Sequence, residues 1–369
     1  MARSSPFVGL YAHDPELDPT NHLVLRKPFA CPNGRFETVV SLPYVNFDAK
    51  HNVSRCLGFW AAYLEAGRLV HSNCLRTHPD WMYNMKETIG NKTLKCLMIP
   101  GTHDSGCYRR YDPYKDTIFD KYVYTQDEPV FNQLVYGIRY IDLRIWHEGA
   151  SKRASSIWIT HDVFHVGLPF LKDVLHQVKD FVLATKEIVI IDIHRKLTGF
   201  FISGKLETWQ HREVIELGKE IFGNLLIDSK YSSKPLDFFW ESNKRVLFAY
   251  QGHGEPHIDG FAASNVRHWW TDTQSIPVLH KYLTNNSCEF KYGLTATNAV
   301  LTPNIWHSRR NLSNKANSEI DVWFRNELSC ANIIITDYFL GNNVIEISMQ
   351  TNKNRTHCAY KIRPSIFIN

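Results

Sequence analysis

The chain has 369 residues, 44% hydrophobic and 21% charged, with a formal net charge of +5. That length accommodates a barrel of roughly 250 residues plus a smaller module. The composition is that of an ordinary globular protein, the scattered lysines and arginines form no nucleic-acid stripe, and no apolar run reaches the ~18 residues of a membrane-spanning helix.

Residues 1–80 read as a small β-rich module. Leu23-Val24-Leu25, Phe36-Glu37-Thr38-Val39-Val40 and Phe59 to Leu64 are short apolar or alternating runs, punctuated by Pro32-Asn33-Gly34, Leu42-Pro43 and Ala66-Gly67. Nothing in this module points to catalysis. A short helix from Trp81 to Gly90 leads into residues 81–369, where strands and helices alternate.

The expected strands are Leu94–Ile99, Tyr140–Ile145, Ile157–His161, Ile188–His194, Val246–Tyr250, Tyr292–Ala296 and Ile333–Asp337. Several are continuous β-branched runs, as in a sheet buried on both faces. Helical spacing marks Leu168–Leu183, Lys205–Phe222 with Gly223 as its stop, and Asn317–Leu328. The fold class that follows is α/β: a (β/α)8 TIM-type barrel, tolerating irregularity, with one strand unplaced, behind a small N-terminal β module.

Titratable residues gather at the expected strand ends. Leu97-Met98-Ile99 runs into Pro100-Gly101, read as the end of the strand, and His103-Asp104 follows. Asp142 and Arg144 lie two apart on one face of the next strand. His161 and Asp337 end later strands. Barrel enzymes place their chemistry at the carboxyl ends of strands, although a strand-end histidine is more often a satisfied structural group. Asp192 and His194 share a strand face with alternating isoleucines and fit a buried network as well as a substrate contact.

The ordered landmarks Ile99 to Gly106, Gly137 to Arg144, Thr160-His161, Glu187 to His194 and Asn332 to Phe339 resemble the X domain of phosphatidylinositol-specific phospholipases C. The likeness is to the X-domain-containing proteins and the bacterial, metal-independent relatives, and it covers roughly residues 81–350. It implies a phosphoric diester hydrolase that cleaves a phosphatidylinositol-type lipid or glycosylphosphatidylinositol anchor through a cyclic inositol phosphate. In that scheme His103 is the general base oriented by Asp337, and His161 is the general acid paired with Asp104, which would raise its pKa. Arg144 clamps the phosphate, and Asp142 orients Arg144 or a histidine.

The same resemblance makes Asp192, His194, Tyr250, Trp269, Trp270 and Asp272 candidates for binding the inositol ring. Phe200 and Phe201, beside Lys196 and Lys205, are candidates for membrane contact. No metal and no other cofactor is expected, because Arg144 stands where calcium-dependent relatives place a carboxylate. The expected partner is a phospholipid at a membrane surface, with neither nucleic acid nor a transmembrane segment involved. The alternatives are a catalytically silent barrel binding inositol lipids or glycans, and another phospholipid phosphodiesterase on the same barrel.

Eight cysteines and sequons at Asn52, Asn91, Asn285, Asn311 and Asn354 make a secreted, disulfide-bonded glycoprotein the expectation. The polar start Met1 to Pro6 keeps a cytoplasmic location as the alternative.

Overall fold

The computed structural model describes residues 5–18, 21–28, 38, 40, 44–48, 50, 53–110, 112, 117–148, 157–161, 164, 167–198, 204–251, 263–264, 266–288 and 293–356. The chain divides into two compact units, 1–79 and 80–369.

In the first unit, β1 (Phe7–Tyr11), β2 (Leu23–Pro28), β3 (Cys56–Glu65) and β4 (Arg68–Arg76) form an antiparallel sheet in the order β2-β1-β3-β4. Phe7 and Tyr11 pack with Ala62 and Leu64 on one face, which is the alternation of a half-buried sheet. Ala66 and Gly67 turn the β3–β4 hairpin with φ of 49° and 79°, the primed-turn conformation that suits a two-residue loop. A Cys56–Cys74 disulfide ties the two strands of that hairpin. β1 and β4 lie outside the runs expected as strands. Of the run expected at Phe36–Val40, residues 36, 37 and 39 lie outside the described residues.

The second unit holds β5 (Ile99–Thr102), β6 (Tyr140–His147), β7 (Ile157–Ile159), β8 (Val189–Thr198), β9 (Val246–Gln251), β10 (Ala263–Ser264), β11 (Arg267–Trp269), β12 (Thr295–Asn298) and β13 (Ile333–Thr336). Eight of them form a curled parallel sheet in the order β10-β9-β8-β6-β5-β13-β12-β11. The last strand, β13, lies against the first, β5, as in a barrel, and the seam falls between the short strands β10 and β11. This is an irregular TIM-type architecture. β7 is not one of the eight: it folds back antiparallel on β6, so the strand expected at Ile157–His161 is a hairpin arm.

Two local corrections concern the first barrel strand. Leu94–Cys96 is a 3-10 turn, not a strand, because Asn332 Nδ2 donates to the carbonyls of Leu94 and Leu97 at 2.9 and 2.8 Å. Pro100-Gly101 does not end β5 but lies inside it. The ladder draws on the N–H groups of Ile99 and His103 and on the Pro100 carbonyl, so the N–H that proline lacks is not needed. Gly101 is required by proximity, since a Cβ there would lie 2.8 Å from the Tyr140 ring.

The sheet is buried on both faces. Ile333 and Ile335 join Ile99, Tyr140, Ile190 and Leu247 in the interior, while Ile334 faces outward to Leu312, Ile320 and Phe324 of the helix Arg309–Arg325. Helices Leu171–Ala184 and Thr208–Phe222 bury the apolar stripes read from their spacing, and Gly223 (φ 49°) ends the second. The helix expected from Asn317 begins already at Arg309, because the Ser308 side chain accepts from the Asn311 N–H and caps it there. A Cys288–Cys330 disulfide also lies in this unit; Cys96 is disulfide-bonded, and Cys107 is buried as a free thiol. Among the described residues, no helix is long and apolar enough to cross a membrane.

Candidate active site

Strand register assembles the centre of the site. Thr102 of β5 pairs with Thr336 of β13, so the next residues, His103 and Asp337, emerge side by side at the carboxyl ends of the two strands. His103 Nδ1 lies 2.8 Å from Asp337 Oδ1. With Nδ1–H donating to the carboxylate, Nε2 becomes the acceptor, and Arg144 Nη2 donates to it at 2.7 Å. Burial pushes the Asp337 carboxyl upward, but His103 and Arg309 outweigh it and hold the carboxyl below its usual range.

Two backbone positions beside this pair are left-handed without being glycine: Asp104 at φ 41° and Tyr338 at φ 46°. Such conformations cost on the order of 1–3 kcal/mol each and persist only where surrounding bonds enforce them. The Asp104 N–H donates to Asp142 Oδ2 at 3.0 Å. The Tyr338 N–H donates to the Thr125 carbonyl at 2.8 Å, and its hydroxyl to the Tyr124 carbonyl at 2.7 Å. Asp104 is thereby turned toward Arg144, whose Nε lies 2.6 Å from Asp104 Oδ1. Burial raises the Asp104 pKa despite Arg144 and His103.

His161 arrives from the β7 arm and places Nε2 3.3 Å from Asp104 Oδ2. The expected upward pull of that carboxylate does not prevail. Burial first, then the guanidinium groups of Arg309 and Arg144, push His161 well below the ordinary histidine range. Arg309, which the sequence reading did not single out, donates from Nη2 to His161 Nε2 at 2.9 Å and pairs with Asp337 at 3.3 Å. The one sequence signal for it is electrostatic: a cation in the first turn of a capped helix opposes the helix dipole.

A second pair of couples lines the adjoining wall. His194 Nδ1 is 2.8 Å from Asp142 Oδ1, so Asp142 orients a histidine and the Asp104 backbone rather than Arg144. Burial opposes ionisation of Asp142, but His194 and Arg144 hold its carboxyl far below the usual range. His268 Nε2 is 3.1 Å from Asp192 Oδ2, which also accepts from the Tyr140 hydroxyl at 2.7 Å. Burial lowers the His268 pKa, yet the hydrogen bond and charge of Asp192 raise it overall. The His194 and His268 rings lie 4.2 Å apart.

Among the described residues, two groups have metal-donor spacing: His103, Asp104 and Asp142, and Asp142, His194 and His268. Two members of the first, His103 and Asp104, already hold the Arg144 guanidinium. The second offers two imidazoles and one carboxylate, a set suited to a transition metal and not to the oxygen-only shell of calcium. Both nitrogens of His268 are already engaged, one by Asp192 and the other by Asn298 Nδ2 at 3.3 Å.

These residues open on a cleft of about 370 Å³, with His103, Arg144, His161, His194, His268 and Trp270 in its walls. The loop from β12 to Arg309 carries Ile305 and Trp306, 79% and 81% exposed. Four expected ring-binding residues do not line the cleft; Asp192, fully buried, reaches it through His268. Tyr250 bonds His211 Nδ1 through its hydroxyl at 2.9 Å, Trp269 is buried beneath Arg267, and Asp272 is exposed to solvent. Phe200 and Phe201 lie outside the described residues.

The family description that matches is phosphatidylinositol-specific phospholipase C, X domain, over residues 115–248. Residues 115–248, about a third of the chain, are similar to that X domain. The matched span includes Asp142, Arg144, His161, Asp192 and His194, while His103 and Asp337 flank it. PI-PLC X domain-containing protein 1 of Homo sapiens is 23% identical over 321 residues, 78% of this chain and 96% of that protein. PI-PLC X domain-containing protein 3 of Bos taurus is 24% identical over 193 residues, 46% of this chain and 57% of that protein. The solved phosphatidylinositol-specific phospholipase C from Listeria monocytogenes superposes with a TM-score of 0.57 at 18% identity, covering 75% of this chain and 99% of the bacterial one. That likeness establishes the fold.

Not every landmark of the X domain serves the cleft. Arg139 and Glu187 precede β6 and β8 and sit at the opposite end of the sheet, fully buried, with Nε 2.6 Å from Oε2. Glu187 also accepts from the N–H groups of Met82 and Tyr83, tying the first helical turn (Trp81–Asn84) of this unit to the sheet.

Proposed function

We propose that this barrel cleaves the phosphodiester of a phosphatidylinositol-type lipid or a glycosylphosphatidylinositol anchor, giving a cyclic inositol phosphate and releasing the glycerolipid alcohol. One observation carries the reading: an imidazole fixed by Asp337 at Nδ1 presents Nε2 as an acceptor directly against the Arg144 guanidinium. In the reaction, Nε2 of His103 takes the proton of the inositol 2-hydroxyl as its oxygen attacks phosphorus. Arg144 moves from Nε2 to a non-bridging phosphate oxygen and offsets the charge that develops there. The bond to the glycerol oxygen breaks, and His161 returns a proton to that oxygen.

The ring hydroxyls have His194, His268 and Asn298 as polar partners and the half-exposed Trp270 as an apolar face. Ile305 and Trp306, exposed beside the cleft, support approach to a lipid surface, since an indole suits the boundary between apolar and wet layers. The Cys56–Cys74 and Cys288–Cys330 disulfides support a secreted protein. Intact mass before and after reduction tests that location.

The decisive experiment incubates purified protein with a panel of radiolabelled phospholipids in vesicles. Cyclic inositol phosphate released from phosphatidylinositol supports the proposal. No turnover of any lipid, with retained binding of inositol phosphate, would replace it with a lipid-binding role for the barrel.

A further inference from the structure

The His161–Arg309 contact poses a chemical problem. An imidazole that protonates a leaving oxygen must carry its proton on the nitrogen facing the substrate. Here the Nε2 lone pair is occupied by a guanidinium N–H at 2.9 Å, in a residue only 4% exposed. A guanidinium cannot accept a hydrogen bond, so Nε2 bears no proton while this contact stands. Arg309 stands at the first position of its helix, where helix electrostatics disfavours a cation, and is held there by Asp337, the partner of His103, which its Nη1 reaches. One side chain therefore touches both His–Asp couples.

We propose that Arg309 is a positioning residue that keeps His161 unprotonated until an anionic group binds and then turns to that group, so that ligand binding is coupled to uptake of one proton from solvent at His161 Nε2. The balance is simple. The N–H···N bond from Arg309 breaks, an N–H···O bond to the anion forms, and a solvent proton occupies the freed lone pair, facing Asp104 Oδ2 at 3.3 Å. Asp104 then has a cation to pair with in addition to Arg144.

The groups that face His161 agree with this direction. Arg309 comes from its own helix, Arg144 from β6, Arg195 from β8 and His103 from the end of β5; all are cationic or able to become so, and all disfavour the imidazolium. Asp104 is the opposing carboxylate, and its other oxygen is held by Arg144 at 2.6 Å. An incoming phosphodiester adds the negative charge that this ring of cations lacks.

The inference deepens the proposed function, but its test does not need turnover. The His161 resonance in ¹³C-histidine-labelled protein is identified by its absence from His161→Asn and titrated with and without inorganic sulfate, which does not itself titrate in this range. In wild type, His161 should titrate below the ordinary value near 6.5, and sulfate should move it upward. In Arg309→Met it should titrate higher without sulfate, whereas Arg309→Lys, which keeps the charge, should stay low. A His161 titration unmoved by sulfate in wild type overturns the proposal even if the Arg309 variants fail to fold. So does an unmoved titration in folded Arg309→Met. If the titrations behave as stated and no phospholipid is turned over, the enzymatic reading falls and the coupled proton uptake stands.

Discussion

His103 and Asp337 are 234 residues apart in sequence and 2.8 Å apart in space, brought together where the last barrel strand lies in parallel register against the first. The contact fixes which imidazole nitrogen carries the proton. His103→Ala and Asp337→Asn should therefore both impair turnover. Losing the base removes ~10²–10⁴-fold in rate, and the asparagine should cost a substantial part of that by leaving the tautomer unset. Initial rates on phosphatidylinositol vesicles, with circular dichroism to confirm folding, check this. Near-wild-type rates for either variant would remove His103 from the chemistry.

Arg144 sits 2.7 Å from His103 Nε2 and 2.6 Å from Asp104 Oδ1, so a positive charge already stands between these two groups. Activity should persist in excess EDTA, and Arg144→Ala should be severely impaired, with Arg144→Lys recovering only part because an ammonium lacks the planar fork. Loss of activity on chelation, restored by a divalent ion, would transfer the role to a metal held by Asp142, His194 and His268.

Glu128 supplies a pH dependence. Burial is the main cause that raises its carboxyl to about 7, against the hydrogen bond from Asn132 Nδ2 at 2.6 Å. The folded chain thus holds this proton more tightly than the unfolded chain, whose ordinary value is 4.5. The stabilisation is fully present below about pH 4.5 and is lost as pH rises through 7. A shift of this size corresponds to about 3 kcal/mol. Glu128→Gln should remove that loss, so the variant should melt above wild type at pH 8 and close to it at pH 5. Parallel melting curves at all pH values would contradict the assignment.

At the other end of the barrel, Glu187 binds Arg139 and two backbone N–H groups with no exposure to water. Glu187→Ala would leave the Arg139 guanidinium buried without its carboxylate, which typically costs 3–5 kcal/mol. Urea denaturation should show a lower midpoint. An unchanged midpoint would mean that water or another group takes over the pairing.

Much of this arrangement follows from local sequence. The β-branched runs fix where the long strands lie; His103-Asp104 is recognisable as a pair following a strand end, and Asp142-x-Arg144 as a pair two residues apart within one strand. Parity was harder to read. Val246-Leu247-Phe248-Ala249-Tyr250 is apolar throughout, so nothing in the run says that Tyr250 turns toward His211 and away from the cleft. The hairpin arm β7 reads like a barrel strand because burial, not direction, shapes its composition. β10 and β11, of two and three residues, are too short to carry a periodic signal. The packing of strands and helices decided which distant residues meet: Asp337 with His103, His268 with Asp192, and Arg309 with both Asp337 and His161. Sequence sets which groups stand at each strand end, because that depends on neighbours along the chain. Partners across the barrel depend on inter-strand register and helix placement, which long-range packing fixes.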